Sequence, residues 1–226
     1  MEQPVLMAAN LSVKRFQALR FQATYADLLK SPRYQAAAQF FLHELYSEKD
    51  YAERDQQFAR IASTVARLFP QSVVNTAAAL SDVHALTEQL DDAMAHAWVV
   101  LRSDEPAQSE AARYIACWRQ VPGPAVRHQQ LHVVLALGKS LDSLTRKPGL
   151  RTLLKMMRGP AAASGLGSLQ TFLEAGFDAF QTMRGADDFL NLIAFREADW
   201  INKLFESDTA VCETELNEVM RNHVGG

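Results

Sequence analysis

The sequence predicts an all-α protein, a single multi-helix bundle of about eight to nine helices with mostly antiparallel neighbours. Three observations predict it. Apolar residues recur three and four positions apart along most of the chain, the spacing that lines one face of a coil with 3.6 residues per turn. Alternating β-branched runs bounded by hairpin turns do not occur in the sequence. Gly and Pro cluster at a few points, so the connections between periodic segments are short. With 226 residues, 48% of them hydrophobic, the chain is large enough for a proper core; a chain of this length buries roughly 70–75% of its unfolded surface.

Taken in order, Ser12 is placed to cap a helix running to about Lys30, with Phe16, Leu19, Ala23, Ala26 and Leu29 on one face. Ser31-Pro32 restarts the chain, and the next helix carries Tyr34, Phe40, Phe41, Leu45 and Tyr46. A charged connector, 47–50, leads to a helix marked by Phe58, Ile61, Val65 and Leu68 and stopped by Pro70. From Gln71 to Leu101 there is no Gly or Pro, which predicts one long helix with Val73, Ala77, Leu80, Leu90, Met94 and Ala97 inside. After a polar break at 103–106, a helix over about 107–121 carries Tyr114, Ile115 and Trp118.

Pro122-Gly123-Pro124 is the strongest punctuation and a candidate subdomain break, too short for a flexible linker. Further helices are predicted at about 125–145, 149–158, 165–184 and 186–206. The expected organisation is one helical domain over 1–206, followed by a polar tail, 207–226, that holds one short helix and frays.

A net charge of −3 speaks against general nucleic-acid binding, which favours a strongly basic surface. No run of about 18 apolar residues predicts a membrane span. The first ten residues lack a basic segment followed by an apolar one, so no export signal is expected. Two scattered thiols, Cys117 and Cys212, suit a reducing cytoplasm.

The stretch Phe40-Phe41-Leu42-His43-Glu44-Leu45-Tyr46, followed by Asp50 and Arg54-Asp55, resembles the signature of an uncharacterised family of bacterial helical proteins. The pieces Phe172 to Phe177, Met183-Arg184-Gly185 and Phe189-Leu190 extend the resemblance over most of the chain. It implies a bacterial cytoplasmic protein and brings with it no activity, cofactor or catalytic residue.

Four groups of residues carry candidate chemistry. The first is the ladder His84–Glu88–Asp92–His96. Each step of four drifts about 40° round a helix, so adjacent members can share a metal while the ends lie about 18 Å apart. The second is the pair His128 and His132, one turn apart, where Gln129 stands in place of the general base of a metalloprotease helix. His84, Glu88, His128 and His132 are therefore the metal candidates; haem ligation by a single helical histidine stays open.

The third group, His43, Glu44, Glu48, Asp50, Glu53, Arg54 and Asp55, reads as paired carboxylates for acid–base work or as an acid-rich helix start capped by Asp50. The fourth is basic. Between Ser143 and Phe172 there is no acid, and Arg151, Lys155 and Arg158 share a helix face. The Gly- and Ser-containing stretch after it leads to Ser164 and Ser168 at the start of another helix. Cations beside a helix N-terminus make an anion site, while a solvated basic face or contact with anionic lipid are the other readings. Small residues Gly165, Ser168, Ala175, Gly176 and Ala179 then let another backbone or ring approach closely.

No complete catalytic constellation is present in the sequence. The expectation is a non-enzymatic helical protein acting through a protein partner or self-association. The rival is a ligand- or metal-binding bundle with a basic anion-binding face near 146–168.

Overall fold

In a computed structural model, residues 3–45, 70–101 and 109–224 are described, and every regular element among them is helical. In chain order these are α1 (Gln3–Thr24), α2 (Ala26–Lys30), α3 (Gln35–Leu45), α4 (Gln71–Leu101), α5 (Glu110–Gln120), α6 (Pro124–Thr145), α7 (Leu150–Met156), α8 (Arg158–Ala163), α9 (Gly167–Met183), α10 (Asp187–Glu206) and α11 (Thr209–Val224). The helix expected around Phe58 to Leu68, the break at 103–106 and most of the acid-rich cluster after His43 lie outside the described residues.

Three boundaries differ from expectation. Ser12 does not cap α1. The helix starts nine residues earlier, with Pro4 in its first turn where the missing N–H costs nothing. The Ser12 hydroxyl instead donates to the Ala8 carbonyl at 3.0 Å. The buried face is Val13, Phe16, Gln17, Arg20 and Phe21, and Leu19 is exposed. The tail is a sixteen-residue helix with Cys212 and Leu216 buried against the body of the protein. The number of helices, eleven among the described residues, exceeds the expected eight to nine because short pieces, α2 and α8, are set off by Tyr25 and by Met157.

The long helix α4 runs as its sequence predicts, from Gln71 to Leu101. It packs along α1, α5 and α6, and α6 in turn packs on α9 and α10. Gly138 permits the α6–α10 approach: a Cβ there would stand 2.5 Å from Leu190 Cδ2. Gly176 on α9 likewise receives the Phe40 ring of α3, with 3.0 Å to a Cβ, so this chain itself supplies the neighbour that the small residues admit. At the α9–α10 turn, Gly185 adopts φ +120°, which a side chain would resist. Arg33 ties that turn down by donating to the Met183 and Gly185 carbonyls.

The apolar interior is in two parts. One gathers Phe41, Phe172, Phe177, Phe180 and Phe189 with the leucines of α6, α7 and α9. The other gathers Phe16, Trp98, Tyr114, Trp118, Trp200 and Leu204 around α5 and α11. Leu131 of α6 packs against both. Each fully buried side chain of this size stabilises the fold by about 1.5–3 kcal/mol, which makes the polar layer between the two parts conspicuous.

A charged cavity between two cores as candidate site

Where the two apolar parts meet, helices α1, α4, α5, α6 and α10 turn polar side chains inward around a cavity of about 70 Å³. Phe21, Phe41, Leu131, Val134, Ile193 and Ile201 form its apolar wall. The polar groups arrive because charged or amide residues interrupt the apolar faces of α1, α4, α6 and α10, while α5 contributes Tyr114 and Trp118. Asp91 sits between Val83 and Met94 on α4, Arg20 beside Phe16 and Phe21 on α1, and Glu197 between Ile193 and Trp200 on α10.

Buried charge is costly unless it is paired. Arg20, 3% exposed, forms a two-pronged ion pair with Glu197, Nη1 to Oε1 at 3.1 Å and Nη2 to Oε2 at 2.9 Å. The Tyr25 hydroxyl donates to Glu197 Oε1 at 2.9 Å, so both carboxylate oxygens are engaged. Arg127, 5% exposed, lies over the Trp118 ring at 4.3 Å and donates to Gln130 Oε1 at 3.3 Å. Gln130 donates in turn to Thr87 Oγ1 at 2.9 Å, which joins α6 to α4.

Asp91 is treated differently. Its Oδ1 accepts from the Gln17 amide at 3.1 Å. Burial pushes its pKa up to about 6, against the Gln17 hydrogen bond and the more distant charges of Lys14 and Arg127. Tyr114 and Trp118 also belong to the lining; the Trp118 indole N–H makes a poorly aligned hydrogen bond to the Tyr114 hydroxyl, and both atoms are shut off from the cavity's free space. Their rings pack at 6.1 Å, and burial raises the Tyr114 pKa.

The residues singled out from sequence fall elsewhere. On the ladder, Lys14 Nζ reaches Glu88 at 2.7 Å, Asn10 donates to Asp92 at 3.0 Å, and His96 Nδ1 lies 2.8 Å from the Asp92 carbonyl. His84 stands 4.0 Å from Glu88. This stripe fastens α4 to α1. His128 faces Asn202 of α10 at 3.3 Å, and His132 is exposed. Of the four metal candidates, His84 and Glu88 thus stand together on α4, whereas His128 faces α10 and His132 faces solvent. Among the described residues no three His, Cys, Asp or Glu side chains are placed to hold a metal ion. His43 is exposed at the end of α3; the acids from Glu48 to Asp55 lie outside the described residues.

The basic face does gather, but on an acid of the same chain. Arg151 donates to Glu174 at 3.0 Å and to Asp178 at 2.6 Å; Arg158 grips both Glu174 oxygens at 2.7 and 2.5 Å. Gln170 adds a bond at 2.9 Å. The Arg158 guanidinium foremost, opposed by desolvation and helped by Gln170 and Arg151, holds the Glu174 pKa down at about 2. Lys155, Ser164 and Ser168 are exposed. The anion that Arg151 and Arg158 hold is therefore Glu174, two residues beyond the acid-free stretch.

The interior cavity was not anticipated. The signal that could have found it is a charge interrupting an apolar stripe, as at Arg20, Asp91 and Glu197. Asp91 stands beside Asp92, which the ladder reading selected instead.

Fold and cavity define a class: an all-helical protein with a charged chamber between two cores. The chain belongs to the family described as "Domain of unknown function (DUF8198)", whose model matches residues 1–211. No curated protein and no solved structure matches the chain significantly. No helix among the described residues is long and apolar enough to cross a membrane.

Proposed function

We propose that this protein is a helical binding protein for a small molecule with a polar end and an apolar body, held in the chamber between the two cores. One observation carries the reading: a cavity of about 70 Å³ lies between the two cores, bounded on one side by aliphatic and aromatic side chains and on the other by Gln17, Arg20, Asp91, Arg127, Gln130 and Glu197. A bound molecule finds its apolar contacts on the first side and its polar contacts on the second. A volume of about 70 Å³ corresponds to roughly five to seven water-sized atoms, at about 10–15 Å³ each.

The two buried free thiols and the family resemblance support a bacterial cytoplasmic setting for this role. A second reading, action through a protein partner or a second copy, is favoured by the exposed apolar side chains Val5, Met7 and Leu11 on α1. A monomer by light scattering across micromolar concentrations counts against self-association.

The direct test is calorimetric titration of the whole chain with small carboxylates, amides and alcohols of three to six heavy atoms, repeated on Val134→Phe, whose ring fills space at the cavity wall. We expect binding by at least one class and a loss of about tenfold or more in the variant, from the space removed. Absence of binding by all three classes contradicts the reading.

A further inference from the structure

Taking the chamber as the binding site, we infer that its ligand is a small aliphatic alcohol whose hydroxyl donates a hydrogen bond to Asp91 Oδ2.

Four acids are buried among the described residues: Asp91, Asp142, Glu174 and Glu197. Three of them meet an arginine. Glu197 is held by Arg20, Glu174 by Arg151 and Arg158, and Asp142 by Arg146. Asp91, the most deeply buried at 3% exposure, has no cation in contact among the described residues. Lys14 reaches Glu88 instead, and Arg127 lies over the Trp118 ring and donates to Gln130. Both act on Asp91 only through space. The one side-chain hydrogen bond that Asp91 receives from a described residue comes from the Gln17 amide, at 3.1 Å to Oδ1.

Oδ2 is left over, and it stands where a ligand can reach it. Asp91 lines the cavity, and Oδ2 is not among the polar atoms that packing shuts off from free space. A carboxylate oxygen left unmet in a poorly polarisable interior is costly, so a donor placed in the cavity is held there.

The strong donors around the cavity are by contrast committed or sealed. Arg20 spends both Nη groups on Glu197, and Arg127 gives Nη1 to Gln130. Arg127 Nε and Nη2 and the Trp118 indole N–H are shut off from the free space. A carboxylate or an amide carbonyl entering the chamber therefore meets no guanidinium or indole donor turned towards it.

Charge balance also favours an uncharged head group. Arg20 and Arg127 offset Asp91 and Glu197, and an added ion of either sign unbalances that set. A hydroxyl brings a donor, no charge and no carbonyl. The wall of Phe21, Leu131, Val134 and Ile193 takes an aliphatic body, and about 70 Å³ holds roughly five to seven heavy atoms at about 10–15 Å³ each.

The experiment is isothermal titration of the full chain at pH 8 with butan-1-ol, its isomer 1-methoxypropane, propionamide and propionate. Asp91, which burial pushes up to about 6, is ionised at that pH. Butan-1-ol should bind about tenfold or more tightly than each of the other three, as expected for one hydrogen bond to a charged acceptor. Asp91→Asn can keep the Gln17 bond through its amide oxygen and present an N–H to the cavity in place of Oδ2. Its affinity for butan-1-ol should fall to that for the ether, while ether binding is kept. Equal affinity of the natural protein for alcohol and ether, equal or tighter binding of propionamide or propionate, or a preference for the alcohol that survives in Asp91→Asn overturns the inference and leaves the binding site standing. Failure of all four compounds to bind overturns the site itself. Where Asp91→Asn folds poorly, the comparison of alcohol with ether on the natural protein still decides whether a donor is required.

Discussion

Asp91 and Glu174 both expose little surface, 3% and 7%, yet their acidities move in opposite directions, to about 6 and about 2. Both depth and company differ: Asp91 lies among packed helices, whereas Glu174 lies just beneath the largely exposed Arg158. Glu174 receives two guanidinium groups and the Gln170 amide; Asp91 receives one amide, with the nearest cations further off. Burial alone makes a carboxylate a poor anion, and direct charged donors reverse that. The α7–α9 face is thus a closed ion cluster, satisfied within the chain, whereas the chamber keeps a carboxylate poised to change its charge.

The largest effect is expected where a chamber charge loses its partner. Glu197→Ala strands buried Arg20 and should lower stability by about 3–5 kcal/mol in urea unfolding. A loss below about 1 kcal/mol means the pair is far better solvated than its burial implies.

Next comes Asp91→Asn. The acid's folded-state pKa is raised, so ionisation opposes folding: stability falls as pH rises from about 4 to about 6 and is level above. The variant should therefore gain up to about 3 kcal/mol at pH 8, and nothing near pH 3. Parallel urea melts at the two pH values check it, and an equal change at both breaks the contrast.

Glu174→Gln should cost less, about 1–2 kcal/mol at pH 7, because its partners are partly solvated. The sign with pH is opposite. The stabilisation from Glu174 is present above pH 4.5 and is lost as pH falls through about 2, a slope that acid titration of the natural protein shows and the variant lacks. Smallest is Tyr114→Phe. Since its hydroxyl makes no well-formed bond with a described residue, stability should hold or rise by up to about 1 kcal/mol. Clear destabilisation in thermal melts marks that hydroxyl as a structural anchor.

These contrasts also explain what could be read from the sequence. The α4 helix was legible to its ends because apolar spacing and the lack of Gly or Pro are local properties. The common face of Arg151 and Arg158 was legible for the same reason; its acid, Glu174, was not, since the acid-free stretch ends two residues before it and the pairing is tertiary. The start of α1 was missed because Ser12 has the chemistry of a cap but bonds to Ala8 within the helix. The chamber was least legible. Arg20, Asp91, Arg127 and Glu197 come from four separate helices, and each alone resembles an ordinary surface charge until packing turns it inward.

The nuclear magnetic resonance signal of the Trp118 indole N–H tests the central claim most directly, because that proton belongs to the chamber while the Trp98 and Trp200 indoles belong to residues outside its lining. Titration with the small carboxylates, amides and alcohols should move the Trp118 signal selectively and saturably for at least one class. An unmoved Trp118 signal, or equal shifts of all three tryptophans, would contradict a binding chamber between the two cores.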